Sequence, residues 1–220
     1  MPPRPPSDSR HPARENFLHP VFEEGAIRLS DERRTAALPV EFIRALHDGL
    51  LRELGENAHR TFYAAGYEWA LQEMILLSRR LRGEMGNGGN LDVWQMDARL
   101  VLEAWWAQFT AAGWGAWTLD LTTQSTGITF VEVRNSATAA KPLAAVTSGR
   151  GEPACHLYAG LFAGALSFFE RAETHAVEIQ CAALGHPSCR FVIGPGSQID
   201  AVESWRRQGA SAEEIRRRLT

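Results

Sequence analysis

The sequence predicts an α+β fold in which helices pack on an antiparallel sheet. Two observations carry this. Apolar residues recur at three- and four-residue intervals through several long stretches, and around residues 117–133 the period falls to two. With 220 residues and 45% apolar content, the chain can bury the core of one domain with extensions.

Residues 1–16 hold five of the eleven prolines and few apolar side chains. They cannot bury enough surface to offset the entropy of ordering, which predicts a disordered Pro-rich arm. A domain is expected over 17–195 and a helical extension over 196–220. From Phe17 to Pro39 a short extended stretch is predicted, with Ala26-Ile27-Arg28-Leu29 alternating. The first helix begins near Pro39; Phe42, Ile43, Leu46, Leu50 and Leu54 line one face before Gly55 stops it. The second runs from about Glu56 to Arg82, its apolar face assigned to Phe62, Ala65, Trp69 and Leu76. Gly83 to Asn90, rich in Gly and Asn, is a break. The third helix is placed at Leu91 to Ala112, with a stripe of Trp94, Ala98, Val101 and Trp105 flanked by Leu102, Trp106 and Phe109. A β-hairpin follows, with Trp117, Leu119 and Leu121 on one strand, a turn at Thr123 to Gly127, and Ile128, Phe130, Val131 and Val133 on the other. A polar loop with Pro142, Gly149, Gly151 and Pro153 leads to a helix over Cys155 to Glu170 with Tyr158, Phe162, Ala165 and Phe169 on its core face. Extended runs at 174–181 and 189–193 and a charged helix over Glu203 to Leu219, broken at Gly209, complete the chain.

The formal charge of −3 lacks the basic surplus expected of a nucleic-acid binder, and nucleic acid is not an expected direct partner. No apolar run reaches the roughly 18 residues of a membrane span, and the polar N-terminus differs from a signal peptide. Three cysteines, an odd number clustered between 155 and 189, suit a reducing compartment. The expected location is cytoplasmic.

Those cysteines are the strongest chemical signal. Zinc takes four ligands from Cys, His and carboxylate, and here Cys181 and Cys189 clamp a short loop while Cys155 arrives from the start of the preceding helix. Glu178 is a candidate fourth ligand, with His156 and His186 as alternatives. In an ideal strand, residues 178 and 181 point to opposite faces, so the strand must twist or end before Cys181 if both bind. Spacing alone leaves two other readings open: small buried hydrophobes, or a redox pair of Cys181 with Cys189.

The runs Cys155-His156-Leu157-Tyr158-Ala159-Gly160, Val177-Glu178-Ile179-Gln180-Cys181, Gly185-His186 and Cys189-Arg190-Phe191 resemble the 4-vinyl reductase domain family. The motif-bearing part covers about Val131 to Pro195, and the upstream helices agree only in general plan. In that family a Cys, Glu, Cys, Cys set binds zinc, and the four positions match one for one. The resemblance therefore implies zinc at Cys155, Glu178, Cys181 and Cys189, forming a C-terminal knuckle. It also implies a ligand pocket between helices and sheet, a fold similar to vesicle-tethering complex subunits, and a homodimer. Its members fall into accessory proteins of bacteriochlorophyll synthesis and sensor domains of aromatic-responsive regulators.

The phenol sensors of that family carry downstream ATPase and DNA-binding regions, which are not expected in a chain ending at Thr220. They hold phenol through a His on the helix before the hairpin and a Trp on the hairpin. Here Leu91 to Ala112 contains no His, and Val133 stands at the matching hairpin position. A phenol hydroxyl would lose both partners, which points to another, larger and flatter ligand. The candidate lining is Trp105, Trp106, Phe109, Trp117, Phe130, Tyr158 and Phe162, with Arg134 to pair a ligand carboxylate, although ordinary core packing is the commoner role for each aromatic and solvation for the arginine.

A reductase needs a hydride or electron source. Gly86-Asn87-Gly88-Gly89 lies between helices, outside the strand–helix setting of a dinucleotide site, and no flavin or iron–sulfur signature is present. The expectation is a carrier of a tetrapyrrole intermediate, such as a porphyrin or chlorophyllide, with a sensor module for a hydrophobic aromatic molecule as the alternative.

Overall fold

Strand pairing in the computed structural model defines two sheets, and the residues described are 18–29, 32–84, 93–123, 126–139 and 152–220. The N-terminal arm, residues 85–90 of the Gly83–Asn90 break and the whole of the Pro142–Gly151 stretch lie outside them. The chain divides into two units, Met1–Ala37 and Leu38–Thr220. In the first, β1 (Leu18–Val21), β2 (Ala26–Leu29) and β3 (Arg34–Thr35) form an antiparallel meander in the order β1-β2-β3. The alternation at Ala26 to Leu29 therefore does mark a strand.

The second unit holds six helices and four strands among its described residues: α1 (Val40–Leu54), α2 (Asn57–Glu84), α3 (Ala98–Ala111), β4 (Ala116–Asp120), β5 (Thr129–Arg134), α4 (His156–Glu170), β6 (His175–Gln180), β7 (Cys189–Gly194), α5 (Gly196–Arg207) and α6 (Ala212–Leu219). The strands are antiparallel in the order β4-β5-β7-β6. Strand alternation gives the sheet two buried faces. Leu119, Val131, Val133, Ala176, Phe191 and Ile193 join the cluster that contains α4. Phe130, Ile179 and Val192 join Ile199, Val202, Ala212 and Ile215 from α5 and α6. Helix α4 is buried continuously from Tyr158 to Ser167, since the sheet covers one side and α2 the other.

Three expectations change. The buried line of α2 is Ala58, Gly66, Ala70, Met74 and Ser78, while Ala65 and Leu76 are exposed and Phe62 and Trp69 half-buried. The reason is close helix contact. A Cβ on Gly66 would lie 2.1 Å from the Leu157 carbonyl oxygen, and one on Gly160 would lie 1.9 Å from that of Tyr63. Small residues face the partner helix and bulky ones flank it. Helix α3 begins at Ala98, later than expected, because Asp97 accepts a hydrogen bond from the Arg99 N–H and caps it. Trp94 instead donates to the Phe168 carbonyl at 2.9 Å and lies stacked on the Phe168 ring. The terminal helical region starts earlier than Glu203, with α5 at Gly196, and it breaks at Gly209 as expected: a capping box of Ser211 and Glu214 starts α6 after this residue, whose φ is 85°.

Asp120 ties the hairpin to α6. It accepts from the Thr122 hydroxyl and amide and from the Arg216 guanidinium, and these bonds hold its carboxyl down to about 2. A depressed carboxylate stabilises the fold above its unfolded value near 4, and that stability is lost as pH falls towards 2. With the side chain 29% exposed, solvent screening leaves about 1 kcal/mol. Urea titrations should therefore find Asp120→Asn about 1 kcal/mol less stable than the parent at pH 6 and indistinguishable from it at pH 2.

Candidate metal centre and ligand site

Three elements converge on one buried cluster. Cys155 precedes α4 as its N-terminal cap residue, Cys189 opens β7 opposite Val133, and Glu178 lies within β6 with Cys181 one residue past its end. The odd spacing of Glu178 and Cys181 is resolved by an irregularity in the ladder. Glu178 pairs with Phe191 and Gln180 with Arg190, so β6 carries one extra residue there. Such a bulge restores both side chains to the face that meets α4. The ligand atoms of Cys155, Glu178, Cys181 and Cys189 all lie within 4.8 Å of one another, and all four residues are buried.

The surrounding amides favour anions in this cluster. The Cys155 N–H donates to Glu178 Oε2 at 2.9 Å, the Ala154 N–H to Cys181 Sγ at 3.4 Å, and the Ala182 N–H to Cys189 Sγ at 3.3 Å. Burial pushes the Cys155 thiol and the Glu178 carboxyl well above their ordinary values, whereas hydrogen bonds from Cys155 and Cys189 lower the Cys181 thiol. Four acids this close and this dry cannot all ionise unless a cation joins them. Glu178 Oε1 is buried without a partner, which leaves an oxygen to complete a fourth ligand position. The donor set fits a metal ion. Both histidine alternatives lie outside the four: His156 stacks on His59 with centroids 4.0 Å apart, and His186 is exposed in the turn before β7.

Glu178 also lines a cavity of about 210 Å³ whose walls include Tyr63, His156 and Arg206. The Tyr63 hydroxyl accepts from the Ala176 N–H at 3.2 Å, and burial raises it to about 12. Arg206 is paired with Glu203 at 2.8 Å. Sequence periodicity gave no sign of this wall, because its residues come from four separate segments.

Six of the eight candidate ligand residues form one aromatic layer. Trp105, Trp106 and Phe109 on α3 meet Trp117 on β4 and Tyr158 and Phe162 on α4, mostly edge to face, with neighbouring centroids 5.0–6.3 Å apart. The other two stand elsewhere. Phe130 projects to the opposite face of the sheet beneath the Arg216 guanidinium, 4.7 Å from its centroid, because it alternates with Val131. Arg134 is exposed at the end of β5. Trp117 pairs with Val133 in register, so the hairpin does present an indole, one strand across from the position where the resemblance looked for it. Tyr158 donates to the Trp114 carbonyl, but the Nε1 atoms of Trp105, Trp106 and Trp117 are buried without a hydrogen-bond partner. A buried donor left unpaired costs about 1–3 kcal/mol, and such groups are rare enough that three in one layer require an explanation.

The fold and the cluster define an α+β domain with a Cys₃Glu centre between a helix start and a strand pair. Residues 136–195 match the model of the V4R domain, which bears out the resemblance to the 4-vinyl reductase family over the segment that contains all four cluster residues. No curated protein matches the chain. Among solved structures, it is similar to the phenol-responsive sensory domain of the transcription activator PoxR with phenol, at 22% identity and TM-score 0.57 over 86% of this chain and 87% of that one. It is also similar to a trafficking protein particle complex subunit 3 from Naegleria fowleri covalently bound to palmitic acid, at 9% identity and TM-score 0.50 over 70% and 91%. A vinyl-4-reductase family protein from Methanocaldococcus jannaschii matches at 15% identity and TM-score 0.43 over 72% and 82%. The likeness of fold to a vesicle-trafficking subunit is thus as expected. No helix among the described residues is long and apolar enough to cross a membrane.

Proposed function

We propose that this chain is a zinc-stabilised binding protein whose aromatic layer receives a flat, hydrophobic ligand, with a tetrapyrrole intermediate of (bacterio)chlorophyll synthesis as the first class to test. The observation that carries the reading is the layer itself: six aromatic side chains from α3, β4 and α4 gathered on the same face of the sheet as the metal cluster. Three thiolates and a carboxylate make a closed ligand set of the structural kind, so zinc would hold α4, β6 and β7 together and thereby fix the floor on which Tyr158 and Phe162 stand. No residue of the cluster is assigned a catalytic step.

A sensor module for a small aromatic effector is the second reading, supported by the similarity of fold to a phenol-responsive sensory domain. Titration separates the two. A carrier should shift the Soret band of protoporphyrin IX or chlorophyllide and quench tryptophan fluorescence saturably near one ligand per chain, and it should melt at a higher temperature in the complex. Absence of any saturable change with either pigment, together with stabilisation by one-ring aromatics and a change of oligomeric state, would replace the carrier with the sensor.

A further inference from the structure

We propose that the aromatic layer reads a hydrogen-bond acceptor on its ligand, so that the preferred molecule carries an uncharged carbonyl (a ketone, quinone, ester or lactam) on a flat ring system. The inference rests on the reading of that layer as the ligand site and adds what the site selects.

An indole N–H donates and cannot accept. Trp105 and Trp106 are 2% and 5% exposed, and their Nε1 atoms, like that of Trp117, are buried without a partner. Trp94, outside the layer, differs: its indole N–H donates to the Phe168 carbonyl. The three unpaired donors belong to rings in mutual contact, with Trp106 and Trp117 centroids 5.2 Å apart and Trp105 6.3 Å from each. The Tyr158 hydroxyl donates to the Trp114 carbonyl and accepts from none of the three indoles. Three donors in the layer therefore go unmatched, and a ligand oxygen or ring nitrogen with a lone pair supplies what they lack. Arg134, the cation the sequence placed beside the hairpin, is exposed at the end of β5. A carboxylate taken into the layer would have no such counter-charge, whereas a neutral carbonyl costs far less to desolvate. A ligand of the same shape without the acceptor would leave the indoles unpaired, which is how a buried polar site rejects an isostere.

The test uses the full chain and two probes of nearly equal shape, 1-indanone and indane, which differ by the carbonyl. Binding is followed by isothermal titration and by the indole N–H resonances of ¹⁵N-tryptophan-labelled protein. The expected result is at least about tenfold tighter binding of 1-indanone, with downfield shifts of buried indole protons that indane does not produce. Trp106→Phe keeps a ring and removes a donor, and it should reduce the ratio of the two affinities. If that variant fails to fold, the resonance shifts in the parent protein still decide the matter. Equal affinity for the two probes, without downfield shifts, overturns acceptor reading and leaves aromatic binding standing. No saturable response to either probe overturns both.

Discussion

Cys181→Ser is expected to abolish zinc binding at the proposed centre and to lower stability by at least about 4 kcal/mol when free zinc is a thousandfold above its dissociation constant. Serine keeps the volume and loses the thiolate that the Ala154 N–H and the neighbouring thiols favour at this position. What remains is Cys155, Cys189 and Glu178, all buried and without the cation that lets them ionise together. Elemental analysis should fall from about one zinc per chain to near zero, and the melting temperature should fall by roughly 10 °C. A strong chelator should bring the parent protein to the same melting temperature while leaving the variant unmoved. Stoichiometric zinc retained by Cys181→Ser would sink the assignment of that residue as a ligand.

Gly160→Ala should cost about 3 kcal/mol or more, an unusually large effect for one methyl group. The new Cβ would stand 1.9 Å from the Tyr63 carbonyl oxygen and 2.8 Å from its carbon. These are backbone atoms in α2, so relief requires the two helices to part, and parting them pulls the Tyr63 hydroxyl from the Ala176 amide. Gly49 in α1 provides the control. A Cβ there meets nothing within 4 Å, and Gly49→Ala should stabilise the helix by about 0.5–1 kcal/mol. Chemical denaturation of both variants measures the contrast; equal stabilities would show that α2 and α4 do not pack in backbone contact at Gly160.

These two sites differ in how far the sequence revealed them. The cysteine spacing and the match of Cys155, Glu178, Cys181 and Cys189 to a known motif could be read directly, because ligand chemistry restricts which residue types can serve. The parity conflict between 178 and 181 could be stated but not solved, since a bulge is a property of the register between two paired strands and neither run alone reveals it. For α2 the sequence misled. Bulky apolar residues suggested one face, yet the helix buries the neighbouring line of Ala58, Gly66, Ala70 and Met74. A glycine signals close approach only once its partner helix is known.

The aromatic layer divides in the same way. Periodicity placed Trp105, Trp106 and Phe109 on one face of α3, and alternation put Trp117 on a strand; both are local repeats legible within a single segment. That Phe130 faces away from the layer, that Arg134 is exposed and that three indole N–H groups are buried unpaired followed only from the folded chain. By itself the sequence determined the α+β class, the order of elements and the residues able to hold a metal. The tertiary structure decided which of them meet and which polar groups are satisfied, because burial and hydrogen bonding are settled between segments distant in sequence and not within any one of them.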